Sequence, residues 1–271
     1  MNSEKIEINS AIIIGAGNVA WHLGHSLLES GIKINAVVNR TESRGRQLAN
    51  SLGTKYANTI EDTGNVADLI ILAVSDDVIA NVACSTGFLK SGILVHTAGA
   101  VSMNVLSINA TDFGVIYPLQ TFTAGRKLNF RHIPLLLEAS SKNVFESLNK
   151  LASRLSDHVM PMTSENRMIV HLAAVLSSNF PNHLFTLSEK ILSGHGLSFS
   201  LLKPLLEETI SKALSNGPAV SQTGPAVRGN EKIIKKHLKL LEKYPEIREV
   251  YKILSANIQG QKTALKNNNE R

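Results

Sequence analysis

The apolar run Ala11-Ile12-Ile13-Ile14 leads directly into Gly15-Ala16-Gly17-Asn18-Val19-Ala20. A buried strand that breaks at two glycines and restarts as a helix restricts the possible folds more than any other stretch of this chain. The glycines permit a turn too tight for side chains and let the backbone approach a ligand closely. Ala20 keeps the new helix near the strand, and Leu23, Leu27 and Leu28 continue at helical spacing. Such a helix start offers free N–H groups and a positive dipole end to an anion. The string also occurs as an ordinary turn, but the strand before it and the helix after it favour a pyrophosphate site at Gly15, Gly17, Asn18 and Val19.

Short apolar runs then alternate with helical stretches. Strands are expected at Ser10–Ile14, Ile34–Asn39, Leu69–Val74, Ile93–His96, Gly114–Tyr117 and Pro134–Glu138. Helices are expected at Ala20–Ser30, Glu42–Ser51, Val78–Ala83 and Lys142–Leu155. This alternation builds a parallel sheet covered on both faces, with ligands outside the carboxyl ends of its strands. The pattern changes near Pro161. Met168, Leu172, Val175, Leu176, Leu184 and Leu187 place one long helix over Glu165–Leu192, with a kink at Pro181. Leu201–Leu214 and Glu231–Ser255 supply further helices, Pro245 interrupts the last, and the polar tail from Gln259 is expected to fray. The fold class is α/β, with a Rossmann-type parallel-sheet domain over 1–160 and an all-α domain over 161–271.

The loops after the strands carry the chemistry. An NAD site places Asp or Glu at the end of the second strand to meet the ribose 2′-OH. Here the sequence reads Asn39-Arg40-Thr41, with Arg44 close behind. A neutral residue followed by a guanidinium suits the 2′-phosphate of NADP, so NADP is expected over NAD. The alternative is that Arg40 and Arg44 are surface charges around a helix start. Ser75 and Asp76 are expected to cap the next helix, with Val74 and Ser75 as further cofactor contacts. In His96-Thr97-Ala98-Gly99-Ala100, Thr97 would touch cofactor, and the small residues leave room for substrate. His96 is either a substrate contact or a structural histidine at a strand end. Tyr117 reads as core packing, whereas Gln120 and Thr121 lie on a rim that can reach substrate.

The formal net charge of +6 invites a nucleic-acid reading. Much of the excess falls on Lys232, Lys235, Lys236, Lys239 and Lys243, opposite Ile233, Ile234, Leu238 and Leu241 on a helix. A solvated helix face explains it, and no nucleic-acid partner is expected. No apolar run is long enough for a membrane span, and the charged N-terminal segment does not resemble a secretory leader. Cys84 stands alone, which excludes an internal disulfide; it reads as a small buried residue, with no metal expected and a cytoplasmic location.

Taken in order, these strings resemble a family. Gly-Ala-Gly-Asn-Val-Ala, Asn-Arg-Thr, Ala-Val-Ser-Asp-Asp, His-Thr-Ala-Gly and Tyr-Pro-Leu-Gln-Thr-Phe are followed by His171-Leu-Ala-Ala-Val-Leu-Ser-Ser-Asn179-Phe-Pro-Asn182-His183 and the Thr223–Asn230 string. The chain is similar to bacterial Rossmann-like NADP oxidoreductases that end in a helical domain of unassigned function. More distantly it resembles pyrroline-5-carboxylate reductases and the 6-phosphogluconate and 3-hydroxyacid dehydrogenase superfamily. The resemblance implies a helical dimerisation domain like that of the 6-phosphogluconate dehydrogenases and a small-molecule substrate at the inter-domain cleft. It departs at two places. The long helix has no Lys matching the hydroxyacid dehydrogenases, and Asn230 replaces the usual acid after Arg228-Gly229.

Hydride transfer needs an ordered nicotinamide and a proton donor beside a C=O or C=N. His171 is the expected donor and Asn179 the orienting group, although eight residues put them about 80° apart on an ideal helix. His183 is read as structural. Arg228 either grips an anionic substrate or pairs within the protein, and Asn230 is expected to cap the helix that follows. The expected activity is that of an NADP-dependent reductase or dehydrogenase of a small anionic molecule, working as a homodimer. The alternative is a non-catalytic NADP sensor or scaffold, and a deazaflavin co-substrate stays open.

Overall fold

The computed structural model describes residues 7–64, 66–86 and 92–269. They fall into two compact units that divide between Asn179 and Phe180. In the first, β1 (Ser10–Ile14) leads through the glycine turn into α1 (Asn18–Glu29). β2 (Lys33–Val38), α2 (Glu42–Ser51) and β3 (Lys55–Ala57) follow, then β4 (Leu69–Leu72), α3 (Ile79–Cys84) and β5 (Ile93–His96). β6 (Phe113–Pro118), β7 (Leu135–Ala139), α4 (Lys142–Leu155) and β8 (Val159–Pro161) complete one sheet in the order β3-β2-β1-β4-β5-β6-β7-β8. Pairing is parallel except between β6 and β7.

The central strands are apolar throughout because both faces are covered. Ile12, Ile13, Leu69, Ile70, Ile71 and Leu72 are all fully buried. α4 shows how a helix meets that surface. Ser141 accepts the Val144 N–H at its start, and Val144, Leu148, Leu151 and Leu155 form one buried stripe. Each such side chain adds about 1.5–3 kcal/mol on leaving water. Strand order reverses between β1 and β4, and a crevice opens there at the carboxyl ends.

The sheet departs from expectation at its margins. β3 and β8 were not anticipated: three-residue edge strands are too short to show a period. The β6–β7 pair is antiparallel because no crossover helix separates the two strands. Cys84, read as buried, is exposed at the last residue of α3.

After Pro161 the chain forms α5 (Ser164–Ala174) and then a π-helical turn, Val175–Asn179, which closes the first unit. The irregularity expected at Pro181 takes this form. Proline lacks an N–H and its ring crowds the carbonyl four residues back, so the preceding turn widens.

The second unit holds α6 (Phe180–Ser193), α7 (Lys203–Asn216) and the short α8 (Pro218–Ser221) and α9 (Pro225–Arg228). α10 (Glu231–Leu240) and α11 (Pro245–Asn269) follow. Asn230 caps α10 by accepting the Ile233 N–H at 3.2 Å. Pro245 opens α11 after a 3-10 turn, and the helix runs through the polar tail to Asn269, well past the expected end at Ser255. Glu270 and Arg271, part of the tail expected to fray, lie outside the described residues. Among the described residues, no helix is long and apolar enough to cross a membrane.

Candidate active site

The glycine turn divides its labour. Gly15 has φ +114°, and a Cβ built on it would lie 2.2 Å from the Ala73 carbonyl oxygen, so the fold itself demands glycine there. A Cβ on Gly17 would meet nothing within 4 Å. Packing does not require that glycine; its bareness leaves room for a ligand. α1 begins at Gly17 with no capping side chain and no acid in its first turn. Its opening N–H groups and dipole end face an open cleft of about 420 Å³. Those features fit a dinucleotide pyrophosphate.

Gly15, Gly17, Asn39, Arg40, Thr41, Val74 and Ser75 line this cleft together, as does Arg44. Asn39 donates from Nδ2 to the Thr41 carbonyl at 2.8 Å, which sets the loop after β2. Arg46 is engaged by Glu42 at 2.7 Å and lies over the Tyr56 ring. Arg40 and Arg44 have no ion-pair partner among the described residues, and no carboxylate lines the cleft. Ser75, expected as a cap, makes no capping bond with its side chain and borders the cleft instead.

A second pocket of about 580 Å³ lies at the ends of β4, β5 and β6. Val19, Thr97, Gln120, Thr121, His171 and Asn179 line it, which brings together residues from five separate stretches. Tyr117, read as core packing, also faces it, and its Oη lies 3.1 Å from His171 Nδ1 in a hydrogen bond. Gly99 makes that pair possible: a Cβ there would stand 2.5 Å from His171 Nδ1 and 2.9 Å from Tyr117 Cζ. Burial raises the Tyr117 pKa above its ordinary value, as does the nearby Asp76 carboxylate, while Arg167 opposes them. The π turn explains why His171 and Asn179 share the pocket. One extra residue in the turn removes about 100° of rotation, turning the expected 80° into roughly −20°.

Residues 10–99 match the family described as NADP oxidoreductase, coenzyme F420-dependent, and residues 133–258 match a domain of unknown function, DUF2520. A Bacteroides fragilis protein named as a candidate NADP oxidoreductase is 36% identical, with 94% of this chain and 99% of that one covered at a TM-score of 0.90. This chain belongs to that NADP oxidoreductase family. A Thermotoga maritima protein (23% identity, 91% and 99% coverage, TM-score 0.72) shares the fold. So does an imine reductase of Myxococcus stipitatus solved with NADP+ (19% identity, 94% of each chain, TM-score 0.65). No curated protein matches the chain.

Of the other residues expected in the first unit of the oxidoreductase, Asn18 and His96 line neither pocket. The Asn18 side chain is turned to the loop after β6, donating to the Phe122 carbonyl at 2.9 Å and accepting the Ala124 N–H at 3.1 Å. His22 Nε2 donates to the Thr123 carbonyl at 2.9 Å beside it. His96 is fully buried and lines neither pocket. Its Nδ1 accepts the Ala98 N–H at 3.2 Å, and burial, then Arg167, lower its pKa to about 4. A neutral imidazole so placed orders the loop that carries Thr97 and Gly99. Arg228 is exposed at the end of α9 in the second unit.

Sequence reasoning missed one further cluster. Arg167, 1% exposed, pairs with Glu138 of β7 and donates to the Val101 carbonyl. Ser164 donates from Oγ to Glu138 at 2.7 Å and accepts the Met103 N–H at 3.0 Å. These bonds tie the first turn of α5 to the sheet, one turn before His171. The partners lie far apart in sequence, and Arg167 sits beside Ser164, Glu165 and Asn166 in an ordinary polar first turn, so nothing local pointed to them.

Proposed function

We propose that the oxidoreductase reduces a C=O or C=N group of a small molecule in the second pocket, with NADPH in the cleft beside it. The Tyr117–His171 hydrogen bond, facing open space next to the cradle, carries this reading. The amides of residues 15–19 would hold the pyrophosphate, Asn39 the adenosine ribose, and Arg40, Thr41 and Arg44 the 2′-phosphate. Val74, Ser75 and Thr97 would border the nicotinamide ribose. Bound there, the dinucleotide supplies a hydride.

The protein's own task is to manage one proton. A phenol is protonated at neutral pH, and burial, then Asp76, make the Tyr117 proton still harder to lose to water. When His171 Nδ1 bears hydrogen, it donates to Tyr117 Oη and leaves the phenolic hydrogen free to reach the substrate heteroatom. Uptake of a proton from water at His171 Nε2 then lets Nδ1 pass its own hydrogen to the tyrosinate oxygen, which restores the phenol and leaves the imidazole neutral. Asn179, with a donor and an acceptor, would orient the reacting group. Nothing lining the pocket supports the anionic substrate expected from Arg228.

Absorbance of NADPH, followed against aldehydes, ketones, keto acids and cyclic imines, tests the reading. Tyr117→Phe should slow turnover about a hundredfold, and His171→Ala by a similar factor, with NADPH affinity unchanged. If NADPH binds and no carbonyl or imine consumes it, the reductase reading fails and the NADP-sensor reading takes its place.

A homodimer through the second unit is part of the same reading. Among its described residues, buried apolar side chains are few: Ala226, Ile234, Leu241 and Ile247. Leu201, Leu205, Ile210, Leu214 and Val220 are exposed, Leu214 at 83%. Such a surface is far more apolar than a lone helical unit needs. Sedimentation should give a dimer, and Leu205→Glu with Leu214→Glu should dissociate it.

A further inference from the structure

The two pockets carry opposite charge. Arg40 and Arg44 line the dinucleotide cleft without any acid. The second pocket has one carboxylate, Asp76, and neither lysine nor arginine in its lining. Asp76 has no ion pair and no side-chain hydrogen bond among the described residues, although it stands on the first turn after β4. Its field reaches the proposed reaction centre, because it acts on Tyr117. Arg167, the cation that also acts on Tyr117, is buried and committed to Glu138. An unneutralised carboxylate in a concave wall repels anions and draws cations, and the concavity strengthens both effects.

We propose that Asp76 is the specificity-determining residue of this pocket, selecting molecules with positive charge beside the reacting carbon over carboxylates and phosphates. A protonated imine, or an ammonium in the reverse direction, is the class that fits. The proposal rests on the reductase reading of the same pocket. It replaces the expected anionic substrate with a cationic one. It also gives Asp76 a task that helix capping does not, since the carboxylate makes no capping bond.

Three ring compounds of similar size separate charge from shape: piperidine, protonated at neutral pH, cyclohexanol, and cyclohexanecarboxylate. Calorimetry on the NADP+-saturated full chain should rank them in that order, with steps of roughly tenfold for a partly solvated charge. Asp76→Asn should bring the three affinities within about threefold, and Asp76→Glu should keep the order. Equal or tighter binding of the carboxylate overturns the proposal. So does an Asp76→Asn variant that loses NADP+ affinity while keeping the ranking, because the carboxylate then serves the dinucleotide. If none of the three binds to the wild type, the charge proposal is overturned. The NADPH turnover panel then decides the reductase reading separately: consumption by an uncharged carbonyl keeps it, and no consumption removes it.

Discussion

The dinucleotide cradle and the second pocket meet at one loop, where Ser75 faces the first and Asp76 the second. They are built in different ways. The cradle is backbone: two glycines, a helix start and a strand end, all within a short run of sequence. The second pocket is side chains drawn from the ends of three strands, from α5 and from the π turn. A backbone site tolerates little change in conformation but much in side chains. A side-chain site depends on long-range packing to align groups such as Tyr117 and His171.

Two alanines probe that contrast with the largest expected effects. Gly15→Ala forces a Cβ onto the Ala73 carbonyl at a positive φ, and should cost on the order of 4 kcal/mol in a urea titration. Gly17→Ala meets no protein atom within 4 Å, so stability should stay within about 1 kcal/mol while NADPH affinity falls at least roughly tenfold. Wild-type NADPH affinity in Gly17→Ala would break the division of labour between the two glycines.

The second pocket should show its dependence on packing through pH. His96 binds its proton with a pKa of about 4 when folded, against an ordinary 6.5 when unfolded. Between those values the unfolded chain holds the extra proton, so stability is full above about pH 6.5 and declines as pH falls toward 4. The loss is about 3 kcal/mol. Urea midpoints across that range should fall more steeply for the wild type than for His96→Gln. Parallel slopes would show that His96 does not rest neutral under the Thr97–Gly99 loop.

The same division decided what could be read in the sequence. Gly15, Gly17, Arg40 and Val74 are legible because local spacing fixes a turn, a helix start and a strand end, and the cleft brings them together. β3 and β8 are too short to carry a period. Tyr117 was misread because a tyrosine at a strand end looks like packing until Gly99, from the loop after β5, makes room for His171. The alignment of His171 with Asn179 depended on a π turn that a uniform helical spacing does not reveal. Arg167 and Glu138 are adjacent only after β7 and α5 have packed.

Arg40 sharpens the comparison from the cradle's side. With Arg44, it is a charge in the cleft that sequence spacing alone could nominate, and among the described residues it has no ion-pair partner. Charge-assisted bonds to a 2′-phosphate contribute about 2 kcal/mol, so Arg40→Ala should weaken NADPH binding roughly thirtyfold and leave NADH nearly unchanged. Fluorescence titration with both nucleotides measures it. Equal losses for the two would place Arg40 elsewhere than at the 2′ position.

The smallest expected effect lies where the two regions join. In the proposed function the Asn18 N–H would meet the pyrophosphate, whereas its side chain is bonded to the loop after β6, at 2.9 and 3.1 Å from Phe122 and Ala124. That loop carries Gln120 and Thr121 into the second pocket. Asn18→Ala keeps the N–H groups that meet the pyrophosphate and removes two neutral hydrogen bonds, each contributing about 1 kcal/mol. Hydrogen exchange over 119–134 should therefore quicken, while NADPH affinity changes by less than about threefold. His22→Phe, which loses only the bond to Thr123, should give a weaker version of the same loosening. Reduced NADPH affinity with exchange unchanged would assign the Asn18 side chain to the dinucleotide and cut the link from the backbone site to the side-chain site.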